Sequence, residues 1–216
     1  MSRAAPLAGT VIAVDGPAAA GKGTLARRLA AELGLPYLDT GLLYRAVGRR
    51  LLDAQDDPRH AAKAEAAARA LLPEDLARPD LRGPEADMAA SAVAAIPAVR
   101  AALLEWQRSF GRTHGAVLDG RDIGTVVFPE ALVKLYVTAS PEERARRRWL
   151  ELRARGVEAD AEAVLSELRA RDAQDSARAV APLKPAPDAM LLDTTVLDAE
   201  AAFQAARELV REKLGI

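Results

Sequence analysis

The stretch Gly16-Pro17-Ala18-Ala19-Ala20-Gly21-Lys22-Gly23-Thr24 follows the apolar run Thr10-Val11-Ile12-Ala13-Val14 and opens an amphipathic segment from Leu25 to Leu33. A buried strand, a glycine-bounded loop and a helix, in that order, are the context a phosphate-binding loop requires. The glycines let the backbone curl so that successive N–H groups point at one anion. The helix N-terminus adds the positive end of its dipole, and Lys22 adds a point charge. An ordinary strand-to-helix turn can also hold Gly and Lys, but with these flanks the anion site is the better reading. A nucleoside triphosphate is the expected ligand, with Gly16 to Thr24 on its phosphates and Lys22 as a catalytic candidate.

One position departs from the usual pattern, which sets Ser or Thr directly after the lysine to meet Mg²⁺. Gly23 stands there and Thr24 comes next. Gly-Lys-Gly-Thr resembles the loop of nucleoside monophosphate kinases rather than that of GTPases. Mg²⁺, the expected cofactor, would then rest mainly on phosphate oxygens and water, as its reluctance to dehydrate permits, with Thr24 as the candidate protein contact.

A chain of 216 residues suits one compact α/β domain with small insertions. The net charge of −1 gives no overall basic field for nucleic acid. Absence of cysteine excludes disulfides and thiolate metal sites, and His60 and His114 are isolated in the chain. The segment Met1-Ser-Arg-Ala-Ala-Pro6 lacks the apolar core of a signal peptide. No apolar run approaches the ~20 residues that span a bilayer. A cytoplasmic protein without a membrane or nucleic-acid partner is expected. Arginine outnumbers lysine and asparagine is absent, a pattern that a GC-rich genome or adaptation to heat would each produce.

Beyond the first helix, Gly34 and Pro36 mark a stop, and Pro36 to Asp39 reads as a short second strand. The pattern from Leu42 to Leu72 is helical with a break at Asp56-Asp57-Pro58, and residues 73–87 read as irregular. A helix is expected from about Met88, interrupted at Pro97 and resuming through Phe110, with Trp106 and Phe110 as packing residues four apart. Ala116 to Asp119 and Val133 to Thr138 read as buried strands. Ser140-Pro141-Glu142-Glu143 starts an arginine-rich helix as a capping box, and that helix stops at Gly156. A helix from about Asp160 to Arg171, a strand Met190 to Asp193 and a helix Asp198 to Leu214 complete the chain. Short buried strands alternating with helices predict a five-stranded parallel sheet flanked by helices, a P-loop NTPase-type α/β fold.

Polar groups stand at four strand ends: Asp15-Gly16, Asp39-Thr40-Gly41, Asp119-Gly120-Arg121-Asp122 and Asp193-Thr194. In an open parallel sheet, ligands sit outside the carboxyl ends of the strands, so a triphosphate on the first loop would face Arg121 and Asp122. For Asp15 and Asp193, capping or loop structure is an equal alternative. Arg144, Arg146, Arg147 and Arg148 taken alone would be a solvated helix face, with Glu142, Glu143 and Glu151 diluting their field.

Taken together, these segments resemble bacterial cytidylate kinases. The matching runs are Gly16 to Thr24, Leu38 to Arg45, Ala90 to Arg100, Asp119 to Pro129, Ser140 to Arg148 and Arg171 to Leu183, in the family's order from about Val11 to Leu192. The resemblance implies ATP-dependent phosphoryl transfer to CMP or dCMP in pyrimidine nucleotide metabolism. It implies that Ser91, Arg100 and Asp122 read cytosine, and that Tyr44, Arg45, Arg121 and Arg178 hold the acceptor phosphate. Arg171 and Asp175 would hold the sugar, and Thr40 joins the CMP-binding set. Arg144, Arg148 and Arg171 would act with Lys22 on the transferring phosphoryl group. These residue types suit the chemistry, since arginine forks match phosphate and a carboxylate matches the exocyclic amine of cytosine. Uracil reverses two of those sites and leaves buried groups unpaired.

No general base is needed, because the attacking group is already a phosphate oxygen; positioning and charge neutralisation carry the reaction. The expected organisation is a core of about 8–45, 111–143 and 161–216, a monophosphate-binding region of about 46–110 and a lid of about 144–160, the last two moving to exclude water. The interval between Arg45 and Ser91 lacks the small β-rich insertion common in the family, being helical and Ala-rich up to Leu72. It bears on the preference between CMP and dCMP. A kinase of UMP or AMP, a P-loop ATPase or GTPase and a nucleic-acid module are the alternatives; without Asn the chain has no guanine-reading Asn-Lys-x-Asp motif. A monomer is expected.

Overall fold

The computed structural model describes residue 7 and residues 9–216. The Met1 to Pro6 segment read above lies outside the described residues. The chain divides into two compact units: one runs to Leu38 and resumes over Gly111–Ile216, and the other is Asp39–Phe110.

In the first unit, five strands lie in the order β2-β3-β1-β4-β5. They are β1 Val11–Asp15, β2 Tyr37–Asp39, β3 Ala116–Gly120, β4 Val133–Thr138 and β5 Met190–Asp193. β1 pairs in parallel with β3 and β4, and β4 with β5. Every residue of β1 and β3 is buried, the pattern of parallel strands covered on both faces. The core joins Ile12, Val14, Val117, Val133, Leu135 and Val137 of the sheet to Leu25 and Leu29 of α1 (Lys22–Leu33) and Phe203, Ala206 and Val210 of α8 (Ala199–Leu214). Fully burying each such aliphatic side chain contributes roughly 1.5–3 kcal/mol. β2 and β3 lie to one side of β1, and β4 and β5 to the other. The switch point therefore falls at the carboxyl end of β1, where an α/β sheet opens a crevice.

Two further helices of this unit, α6 (Pro141–Ala154) and α7 (Ala161–Ser176), pack through Leu152, Val164 and Leu168, with Ala18 and Ala145 in the same cluster. α7 reaches five residues beyond the expected end at Arg171. The Ser140 cap forms as expected, its hydroxyl accepting from Glu143 N at 3.2 Å.

The second unit holds α2 (Thr40–Asp53), α3 (Ala61–Arg69), two short 3₁₀ turns at Pro73–Ala77 and Pro79–Leu81, α4 (Pro84–Ala94) and most of α5 (Pro97–His114). Leu43, Val47, Leu51, Leu81, Val93, Val99 and Leu103 form its core. Gly48 lets α2 and α4 approach closely, since a Cβ there would stand 2.7 Å from that of Ala89. The expected start of α4 near Met88 is corrected to Pro84, with Pro at the first helical turn and Glu85 and Asp87 facing the dipole. Trp106 and Phe110 stack with centroids 6.1 Å apart. Among the described residues no single helix is long and apolar enough to cross a membrane; α4 and α5 reach that length only as a pair bent by 99°.

Candidate active site

The loop from Gly16 to Gly21 leaves β1 through a backbone that only glycine tolerates. Gly16 has φ 145°, and a Cβ on it would stand 1.9 Å from Val137 O of β4. Ala19 takes a left-handed φ of 59°, and Gly21 precedes α1 with φ 88°. The start of α1 carries no side-chain cap and no acidic residue in its first turn, which leaves its amide donors and dipole for an anion. Pro17, Ala18 and Ala20 are buried, and Thr24 is exposed on the first turn of α1.

Lys22 is only 5 % exposed, yet its Nζ folds back to donate to Pro17 O at 2.8 Å and lies 3.9 Å from Asp119 Oδ1 of β3. The same Asp119 explains Gly23. A Cβ at that position would meet Asp119 Oδ2 at 3.1 Å and Tyr37 Oη at 3.5 Å, so a Ser or Thr after the lysine would crowd the carboxylate.

Beyond Gly120 the chain makes a π-type turn, Ile123–Val127, in which Val127 N donates to Asp122 O and Phe128 N to Ile123 O. Such wide turns recur at functional sites. Arg121 Nε donates to Asp175 Oδ2 at 3.0 Å, and Arg178 Nη2 donates to the other oxygen of the same carboxylate. Asp175 is 2 % exposed. Two guanidiniums therefore converge on one buried carboxylate, leaving an excess positive charge at the end of β3. Arg171 stands four residues before Asp175 on α7, so the two share a helix face. Asp122, the residue after Arg121, is buried. In the turn itself, Thr125 Oγ1 is buried with no hydrogen-bond partner.

Arg144 does not lie on a solvated face. It is 3 % exposed and bidentate to Asp172 at 3.1 and 2.6 Å, and it donates to Ala18 O at 3.2 Å and Ala139 O at 2.9 Å. It thereby fastens α6 to the phosphate loop. Arg147, which sequence reasoning left undistinguished within the run, donates to Thr194 Oγ1 and O and reaches 3.8 Å from the Cβ position of Gly21. Arg148 pairs with Glu151 at 2.9 Å.

In the second unit, Arg100 lies 5.5 Å from the ring centre of Tyr44 and donates to Ala94 O at 3.4 Å. Arg45 donates to Asp87 at 2.9 Å and stands 4.0 Å from Asp39. Ser91 is four residues beyond Asp87 on α4, one turn along the same face. Thr40 is buried at the start of α2. Tyr44 and Arg100 are thus in ring contact, and Ser91 lies on the same α4 face as Asp87, the partner of Arg45.

Several carboxyls depart from their ordinary range, Asp15 and Glu143 by a wide margin. Burial pushes Asp15 up to about 7, opposed by the backbone N–H donors of Gly124 and Ile123. The Arg146 guanidinium, with Arg147 beside it, holds Glu143 down to about 2. Because an unfolded Glu ionises near 4.5, Glu143 stabilises the folded chain fully above that pH and progressively less as pH falls towards 2. Glu143→Gln is therefore expected to flatten the acid limb of a denaturation-midpoint profile between pH 4.5 and 2; a limb parallel to wild type contradicts the pairing.

The parallel sheet, the uncapped loop and the buried lysine define a P-loop nucleotide-binding α/β protein. The chain belongs to the cytidylate kinase family, whose model matches residues 12–212. A cytidylate kinase of Granulibacter bethesdensis is 65% identical over 203 residues, covering 94% of this chain and 97% of the relative. Cytidylate kinases of Acidiphilium cryptum and Paramagnetospirillum magneticum are each 62% identical, covering 94% of this chain and 96% and 99% of their own lengths. A solved structure of an uncharacterized protein from Eubacterium ventriosum, 12% identical, covers 96% of this chain and 99% of its own with a TM-score of 0.54 and shares the fold alone.

Proposed function

We propose that the chain transfers the γ-phosphoryl group of ATP to CMP or dCMP, giving ADP and CDP or dCDP. Family membership supports the reaction. The single observation that carries the site is the pair Arg121 and Arg178 on buried Asp175, in the same unit as the phosphate loop. One anion site suits the donor triphosphate, and the second, excess-positive site suits the acceptor phosphate.

Gly16 to Thr24 take the phosphates of ATP, with Lys22 neutralising charge as the phosphoryl group leaves. Arg121 and Arg178, with Tyr44 and Arg45, hold the acceptor phosphate; Arg171 and Asp175 hold the sugar. Asp122, Ser91 and Arg100 read the base, and Thr40 completes the CMP-binding set. Arg144 acts through the loop it fastens, while Arg148 and Arg171 add positive charge. Residues of about 46–110 form the monophosphate-binding region and about 144–160 the lid. Among the described residues no cluster of three or more His, Cys, Asp or Glu stands ready for a metal. Mg²⁺ is carried mainly on phosphate oxygens and water, with the exposed Thr24 hydroxyl as the candidate protein ligand. When bound, Mg²⁺ neutralises charge on the phosphate oxygens. The working protein is a cytoplasmic monomer with no membrane or nucleic-acid partner.

Asp122→Ala tests the base assignment. Its kcat/KM with CMP is expected to fall on the order of 10²-fold or more, with the preference for CMP over UMP largely lost. An unchanged CMP-to-UMP ratio in the variant contradicts the assignment.

A further inference from the structure

We propose that Asp15 is a positioning residue: it ties the turn that carries Arg121 and Asp122 to the strand end where the phosphate loop begins, and so sets acceptor affinity and base choice. This rests on the functional reading above. Asp15 is the last residue of β1, adjacent to Gly16 and in register with Gly120 of β3. Its side chain reaches past Arg121 and Asp122. Oδ1 accepts from Ile123 N at 2.8 Å, and Oδ2 from Gly124 N at 2.7 Å.

These two amides open the π-type turn, where no earlier carbonyl of the turn can satisfy them. Asp15 therefore caps the turn from a different strand, through two short bonds to one buried carboxylate. Gly124 makes room for the Lys134 stem, since a Cβ there would stand 3.1 Å from Lys134 Cδ. Lys134 holds the far end, its Nζ donating to Pro129 O and to Asp188. Asp122 lies directly before the clamped Ile123, with φ −143° and ψ 22°. The other end of the clamp cannot yield either, because Gly16 already abuts Val137 O. The base-reading carboxylate is thus referenced to the same fixed point as the donor loop. A displacement of about 1 Å in such a constellation can cost 10²-fold in rate.

The test is steady-state kinetics of Asp15→Asn and Asp15→Ala with ATP, CMP and UMP. Asn keeps one acceptor oxygen and sets an amide donor against the other backbone N–H. Its KM for CMP is expected to rise about 10-fold, and that of Ala further, with the CMP-to-UMP ratio of kcat/KM falling in the same order. The KM for ATP is expected to stay within about 3-fold, because Lys22 and the Gly16 contact hold the loop independently. Equal rises in both KM values, or an unshifted CMP-to-UMP ratio in folded variants, overturn the proposal. Wild-type protein that transfers nothing to CMP overturns the functional reading first, whereas an active wild type with unshifted variants sinks only the role of Asp15. Should both variants fail to fold, amide hydrogen exchange of wild type decides. Ile123 and Gly124 are expected to exchange as slowly as the amides of β3, and exchange as fast as at Asp57 to His60 overturns the clamp.

Discussion

Lys22→Met is expected to lower kcat for CDP formation by about 10²–10³-fold. The methionine keeps the stem that packs against Gly16, whose Cβ position is 3.2 Å from Lys22 Cδ. What it removes is a charge held over the loop by Pro17 O and Asp119. That charge lies beside the uncapped start of α1, so it acts on the same phosphates as the helix amides. In a site emptied of water it counts for far more than at a surface, because no solvent reorganises to replace it. Binding of ATP should weaken less than turnover, since the loop amides remain. Parallel measurement of kcat and the KM for ATP checks this, and a kcat within about 3-fold of wild type contradicts it.

Asp175→Ala is expected to destabilise the first unit by about 3–5 kcal/mol. The carboxylate is buried and shared by Arg121 and Arg178, whose side chains are 21% and 9% exposed. Removing it leaves two partly buried guanidiniums facing each other without the anion between them. Breaking a buried ion pair from one side costs more than the pair is worth, because the partner's desolvation is no longer offset. The same variant should lose CMP affinity, since the arginines are no longer aimed. Urea unfolding at constant slope measures the first effect; a loss below about 1 kcal/mol would mean the cluster is solvent-screened instead.

Much of the fold was legible because its strands are continuous apolar runs. Val133–Thr138 and Met190–Asp193 have the bounds the pattern predicts, and Ser140 caps α6. The misses have physical causes. The start of α4 lies in a polar stretch, where the only signals were Pro84 and the acids behind it. The end of α7 was placed at Arg171 because beyond it no apolar period remains. Ion pairs from Asp172 and Asp175 anchor that last stretch to Arg144 and Arg121. Glu143 was expected to close a capping box, but its carboxylate goes to Arg146 and Arg147, two stronger donors on the next turn.

Within the site, the loop and its lysine were readable from spacing alone. Why Gly23 replaces a hydroxyl residue was not, because Asp119 is distant in sequence and only the pairing of β1 with β3 brings it near. Asp15 was left between capping and loop structure for the same reason. Its partners are 108 and 109 residues away. Arg144 read as part of a solvated run because periodicity does not reveal a bidentate partner on another helix.

Phosphoryl transfer to the cytidine monophosphates is measured by following ADP release and product identity with ATP and Mg²⁺ in the presence of CMP, dCMP, UMP or AMP. Rapid formation of CDP and dCDP, with UMP and AMP at least about 10²-fold poorer by kcat/KM, is the predicted result. Slow ADP release that is the same with every monophosphate, or equal turnover of AMP, contradicts it.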